Sequence, residues 1–304
     1  MGDFSAGAAI GAGFRLIGRE PLAFLAWAAA YLVVGILPQI GVLALIAPEW
    51  TRLTQEIASS AAAHAPMSSA EMLRAQAGMM QLQPLSWIAG LVSQTLVLSA
   101  IYRAVLFPED RGFFYLRLSG RELWLGLAML VLVVMVLLLF VVVMLPTALI
   151  MGLITALARD TPIAGLLIIP AMLIAFGVIV WVLLRLSLAT PMSFAQRGFR
   201  LYESWDVTRG HAGKMFGVGL VLAIVVWLAE MVLLGVALGL AGGFASLGQL
   251  SAWFQHPHFD LARLTPWILG GSVLAAVFST GFFALFGAAW AETYRALTAE
   301  PDAA

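Results

Sequence analysis

The 304-residue chain is 62% hydrophobic and only 11% charged, with a mean hydropathy of +0.99, so a water-soluble globule would lack the polar surface to cover itself. Its formal net charge is zero, and it has no cysteine, which excludes disulfides, thiolate metal sites and cysteine nucleophiles. These figures predict an all-α polytopic membrane bundle, a single integral membrane domain over 1–304.

Arg15 and Arg19 precede an apolar run from Pro21 to Ala47. The run continues well past the apolar core of a signal peptide and reads as an uncleaved first span. About 20 apolar residues cross the hydrocarbon core, and five more stretches reach that length: 85–106, 123–146, 162–185, 215–241 and 266–290. Six spans put both termini on one side. Twelve of the sixteen basic residues fall on that side, the exceptions being Arg52, Arg74, Arg159 and Arg263. Positive charge sorts to the cytoplasm, so both termini are expected there. Lys214 is the only lysine and Ala and Gly are abundant, a composition that points to a GC-rich bacterial genome.

Residues 48–84 form a long outer loop in which Ser68 and Glu71 make a capping box, predicting a short helix that carries Met72, Leu73, Met79 and Met80. The connection 158–162 is a turn with Pro162 at a first helical position. The last outer loop holds His256, His258 and Asp260, but Pro257 separates the histidines and no second cluster accompanies them, so no metal is assigned. Trp253 and Phe254 anchor that loop in the headgroup zone.

Arg185 to Lys214 is the most polar interval between two apolar segments. At 100° per residue Phe194, Gly198, Leu201 and Trp205 share one stripe. Arg197 and Arg200 flank it on one side, Glu203 and Asp206 on the other. The pattern predicts a helix over 193–208 lying flat at the cytoplasmic interface, with its basic residues toward anionic lipid. The tetrapeptide at 13–16, Gly-Phe-Arg-Leu, recurs identically at 198–201, and 111–116 is a looser copy. Three units of arm plus two spans (1–106, 107–190, 191–297) would give such a pattern, as would the composition common to interfacial helices.

Inside the spans Glu230 is the ionisable residue that stands out. Charge at that depth costs several kcal/mol, so the carboxyl must be protonated, paired or facing a wet cavity. Gln94, Ser93, Ser279 and Thr280 lie at comparable depth as partners. Gly235, Gly239 and Gly243, and Ala276, Thr280, Ala284 and Ala288, recur at four-residue steps that let helices approach closely. Arg185 ends the fourth span and can snorkel. Pro38, Pro146 and Pro170 mark kinks or ends.

No phosphate-binding loop, serine-nucleophile motif or paired carboxylates suited to metals are found, so no enzyme activity, cofactor or nucleic-acid partner is expected. The stretch RLSLATP (185–191), then ESWDVTRG (203–210) before a glycine-rich span, resembles the multi-span membrane domain that bacteria attach to glycerophosphodiester phosphodiesterases and that also occurs alone. RAVLFPEDRGF (103–113) is similar to stand-alone alphaproteobacterial members. The resemblance implies a six-span inner-membrane fold without known catalytic residues, and the phosphodiesterase domain itself is absent from this chain. Two functions are consistent with the sequence. One is a non-catalytic module that organises local lipid or a protein partner through its arms; the other is a small transporter or lipid-handling protein with a cavity around Glu230, Gln94 and Ser279.

Overall fold

The computed structural model describes residues 4–62, 83–157, 163–240 and 261–299, with Leu73, Ala77 and Met80 between the first two stretches. The capping box at Ser68, the 158–162 turn, Gly243 and the histidine-bearing loop lie outside the described residues. Those described are helical apart from short turns, and six helices are long and apolar enough to cross a membrane. Each overlaps one of the expected runs. The protein is an all-α membrane bundle.

Helix α1 (Ala6–Arg19) starts at Ser5, whose hydroxyl accepts from the Ala8 N–H as an N-cap. Pro21 then opens α2 (Pro21–Tyr31) at the helical position where a missing N–H costs nothing. The first span passes through a π-helical turn at Leu32–Ile36 into α3 (Leu37–Ala62). Pro38 accounts for the turn: its ring would clash with the carbonyl of Val34 in a regular helix, and widening the coil relieves it. The second span is α4 (Gln83–Leu106) and the third α5 (Gly120–Leu157). The fourth is α6 (Ile163–Leu186), followed by short helices α7 (Ala189–Gln196) and α8 (Leu201–Val207). The fifth is α9 (Ala212–Leu240) and the sixth α10 (Leu261–Thr298). Pro146 and Pro170 stay inside their helices.

Helix α10 is the hub, packing on α1, α2, α4, α7 and α9, while α5 packs on α4, α6 and α7. Burial is concentrated at the end of the bundle where both described termini lie, here called the terminal end. One core cluster joins Phe4, Leu188, Met215, Leu222 and Tyr294; a second joins Leu16, Trp27, Ile101 and Ala284; a third joins Tyr102, Leu125, Phe194 and Ala291. The small-residue ladder of the sixth span behaves as expected, with Ala276, Thr280, Ala284 and Ala288 all buried. The fifth span's does not. Nothing lies within 4 Å of where a Cβ would sit at Gly235 or Gly239, because α9 packs through Met215, Val218 and Leu222 nearer its start. The close approaches are made elsewhere: a Cβ at Gly13 would sit 2.6 Å from the Leu285 Cα, and one at Gly35 2.6 Å from the Ser93 hydroxyl.

Candidate functional site

The terminal end is built around a short turn that links the second and third spans. Gly112–Tyr115 forms a 3-10 turn, and Phe114 and Tyr115 hold positive φ values of 54° and 63°, a region costly for residues with side chains. Two buried donors secure them. Trp27 Nε1 donates to the Phe114 carbonyl at 2.8 Å, and Arg103 Nη1 donates to the Tyr115 carbonyl at 2.5 Å.

Arg103 lies near the end of an apolar helix yet is 1% exposed. Its guanidinium pairs with buried Glu122 and stands 3.4 Å from Asp110. Glu122 in turn accepts from the backbone N–H and hydroxyl of Ser119, which tie it to the start of α5. A charge buried this deeply is stable only when paired and hydrogen-bonded, and this one has both. The Arg121 guanidinium lies over the Phe107 ring, 3.8 Å from its centre. Sequence reasoning gave these arginines no structural role, counting them as charges that sort by membrane side and, for Arg103, as part of the 103–113 resemblance. The usable signal was an arginine at the exit of one span facing a glutamate at the entry of the next.

The 193–208 arm is not one helix. Helix α7 ends at Gln196, Arg197 turns left-handed at φ 53°, and the Gly198 N–H returns to the Ser193 carbonyl at 3.4 Å, a six-residue helix-ending closure. Placing Gly198 on a helical stripe misread a terminator as a face residue. Phe194 is fully buried, between Tyr102 and Phe107 and near the guanidinium of Arg103. Leu201 and Trp205 are half-buried on α8. Trp205 meets Trp181 edge to face at 5.1 Å, and the Arg185 guanidinium lies 5.4 Å from the Trp205 ring centre. Arg185 also donates to the Trp205 carbonyl at 3.2 Å while its own carbonyl accepts from Ser204 at 2.8 Å, so it holds α8 onto the end of α6 rather than snorkelling alone. Arg200 donates to Glu203 at 2.6 Å, which holds that carboxyl below the ordinary carboxylate range; Arg197 is exposed.

The three similar peptides adopt three shapes. Residues 13–16 are α-helical, 198–201 run from a bend into the start of α8, and 111–116 form the strained turn.

The intramembrane candidates do not converge. Glu230 is exposed on α9. Gln94 lines a different space, a cavity of about 590 Å3 with Gln39, Gln83 and Trp87 among its walls. Ser279 lies against the Tyr31 hydroxyl, and the Thr280 hydroxyl is buried without a hydrogen-bond partner among the described residues. A second, smaller cavity of about 190 Å3 opens at the terminal end between α1, the end of α4, the 108–115 segment and the last turns of α10, with Arg15, Arg19, Arg111 and Arg295 on its walls. No family model matches the chain, and neither does any curated protein or solved structure.

Proposed function

We propose that the chain is a non-catalytic multi-pass protein of a bacterial inner membrane, with cytoplasmic termini, that organises anionic lipid around its terminal end. The observation that carries this reading is the anchoring of two connecting segments, 107–119 and α7–α8, onto span ends by buried or half-buried arginines: Arg103 for the first and Arg185 for the second. Such anchoring keeps arginine-rich segments fixed where spans leave the lipid, and each basic residue near an anionic surface contributes about 1 kcal/mol of attraction. The excess of basic residues on one side and the resemblance to the membrane domain of bacterial glycerophosphodiester phosphodiesterases support the same reading.

The test is lipid selectivity. In vesicles of mixed phosphatidylglycerol and phosphatidylethanolamine carrying a spin label on one lipid at a time, the motionally restricted fraction should be larger for phosphatidylglycerol and should shrink with salt. Equal fractions for both lipids would overturn the proposal.

The transport alternative retains one supporting observation, the cavity at Gln39 and Gln94, which lies apart from Glu230. Complementation of a deletion strain separates the two. Glu230→Gln should complement if the carboxyl is structural, and a folded variant that fails would favour transport.

A further inference from the structure

The smaller cavity carries an unbalanced charge. Four arginines face two carboxylates, Glu20 and Glu292, so two positive charges are left over. The carboxylates are already engaged: Glu20 lies 3.6 Å from Arg111 and accepts from the Tyr115 hydroxyl at 3.4 Å, while Glu292 accepts from Arg295 at 2.6 Å. Arg15 spends one donor on the Ala8 carbonyl at 2.8 Å. Arg19 has neither a hydrogen bond nor an ion pair among the described residues.

Ala12, Leu16, Ala104 and Val105 supply apolar wall between the charges. The level follows from the elements: α1 leads directly into the first span, α4 ends the second at Leu106, and Arg295 is in the last turn of the sixth. The cavity therefore opens where spans emerge from lipid, and its volume falls below the roughly 300–1,000 Å3 typical of drug-sized ligand sites. A small anion fits; a whole lipid does not.

We infer that this cavity binds a phosphate group, presented by the headgroup of an anionic phospholipid or by a free phosphate. Arginine suits the task because its planar donor fork engages two phosphate oxygens at once. Arg15 and Arg19 supply the uncompensated charge, and the pairs made by Glu20 and Glu292 fix Arg111 and Arg295 beside them. The inference rests on the lipid-organising reading and adds to it a discrete site.

The test uses the full chain in nonionic detergent, titrated calorimetrically with dioctanoyl phosphatidylglycerol, dioctanoyl phosphatidylcholine or inorganic phosphate. Arg19→Gln should weaken phosphatidylglycerol binding about tenfold, the effect of losing one hydrogen bond to a charged group. Arg19→Lys should restore part of it. Arg209→Gln, an exposed arginine outside the cavity, should change it less than about twofold. Arg19 has no hydrogen-bond or ion-pair partner to lose among the described residues, so melting temperatures should match closely across these variants. Saturable phosphatidylglycerol binding that millimolar phosphate does not displace assigns the site to a lipid headgroup; displacement by phosphate, with phosphate binding alone, assigns it to a free phosphate. Equal losses for Arg19→Gln and Arg209→Gln, or no saturable binding, would overturn the site. Either result leaves the lipid-organising reading to be judged by the vesicle experiment, whose failure would look different.

Discussion

Replacing Arg103 by Met should be among the most damaging single changes at the terminal end. The side chain is 1% exposed and Glu122 is 5% exposed, so truncating the guanidinium leaves a buried carboxylate whose remaining hydrogen-bond partner among the described residues is Ser119. Breaking one side of such a pair costs about 3–5 kcal/mol. The Tyr115 carbonyl also loses its donor, and two left-handed residues lose half of their clamp. Against a total stability of about 5–15 kcal/mol for an ordinary domain, the loss is severe. Arg103→Met combined with Glu122→Leu should recover much of it, because the uncompensated charge disappears along with the pair. Unfolding in mixed detergent micelles would measure both, and trypsin cleavage at Arg111 and Arg117 would report release of the turn. A loss below about 1 kcal/mol for Arg103→Met, or a double variant as unstable as the sum of the singles, would refute the reasoning.

Gly13→Ala should destabilise the protein by about 1–3 kcal/mol, because the new methyl meets the backbone of Leu285 and Ala284 and the overpacking exceeds the gain of about 1 kcal/mol in helix propensity. Gly18→Ala in the same helix, where nothing lies within 4 Å, should be neutral or stabilising in the same unfolding assay. Trp205→Glu should detach α8 from Trp181 and Arg185, seen as faster hydrogen exchange over 201–207, whereas Glu203→Gln, which removes only the exposed pair with Arg200, should change exchange there much less at neutral pH. The Arg200 hydrogen bond lowers the Glu203 carboxyl in the folded state, so its contribution is complete at neutral pH and fades only as the pH falls below the ordinary value of 4.5. Single cysteines introduced into this cysteine-free chain at positions 70 and 255 should label from outside intact cells and those at 117 and 203 should not, and the reverse pattern would invert the proposed orientation.

The spans were legible because lipid imposes a one-dimensional rule: an apolar run of sufficient length must cross, and its neighbours scarcely alter that. An irregularity at Pro38, read as a kink or an end and found as a π turn, and the packed face at Ala284 and Ala288 followed from local rules of the same kind. The arm over 193–208 was not legible as a single helix, because a helical wheel assumes the helix continues, and Gly198 with a left-handed Arg197 ends it. The stripe left open whether Phe194 meets the bilayer or the bundle, and it meets the bundle, since its surroundings come from Tyr102 and Phe107, some ninety positions earlier in the chain. Arg103 was invisible as a structural group for the same reason. Its partners Glu122 and Tyr115 become neighbours only once the hairpin between the second and third spans has closed.

These polar contacts matter more here than they would in a soluble bundle. Between helices in lipid, burying apolar surface gains little, since the acyl chains are as apolar as leucine, and association rests on close packing and on hydrogen bonds. Along the third span the residues beyond Leu130 are largely open to lipid, with Leu138, Val141, Leu145 and Leu149 exposed, while Leu125, Ala128 and Met129 near its start are buried. The fifth span repeats the gradient, from buried Met215, Val218 and Leu222 to exposed Val232 and Leu234. The contacts that specify how these spans meet are therefore gathered at the terminal end, where the Arg103 pair, the Trp27 clamp and the Arg185 anchor also lie. A surface built from the groups that set the helix arrangement cannot shift independently of it. Binding of an anion at Arg15 and Arg19 would then be felt as added stability of the whole bundle, rising with the logarithm of ligand concentration above the dissociation constant.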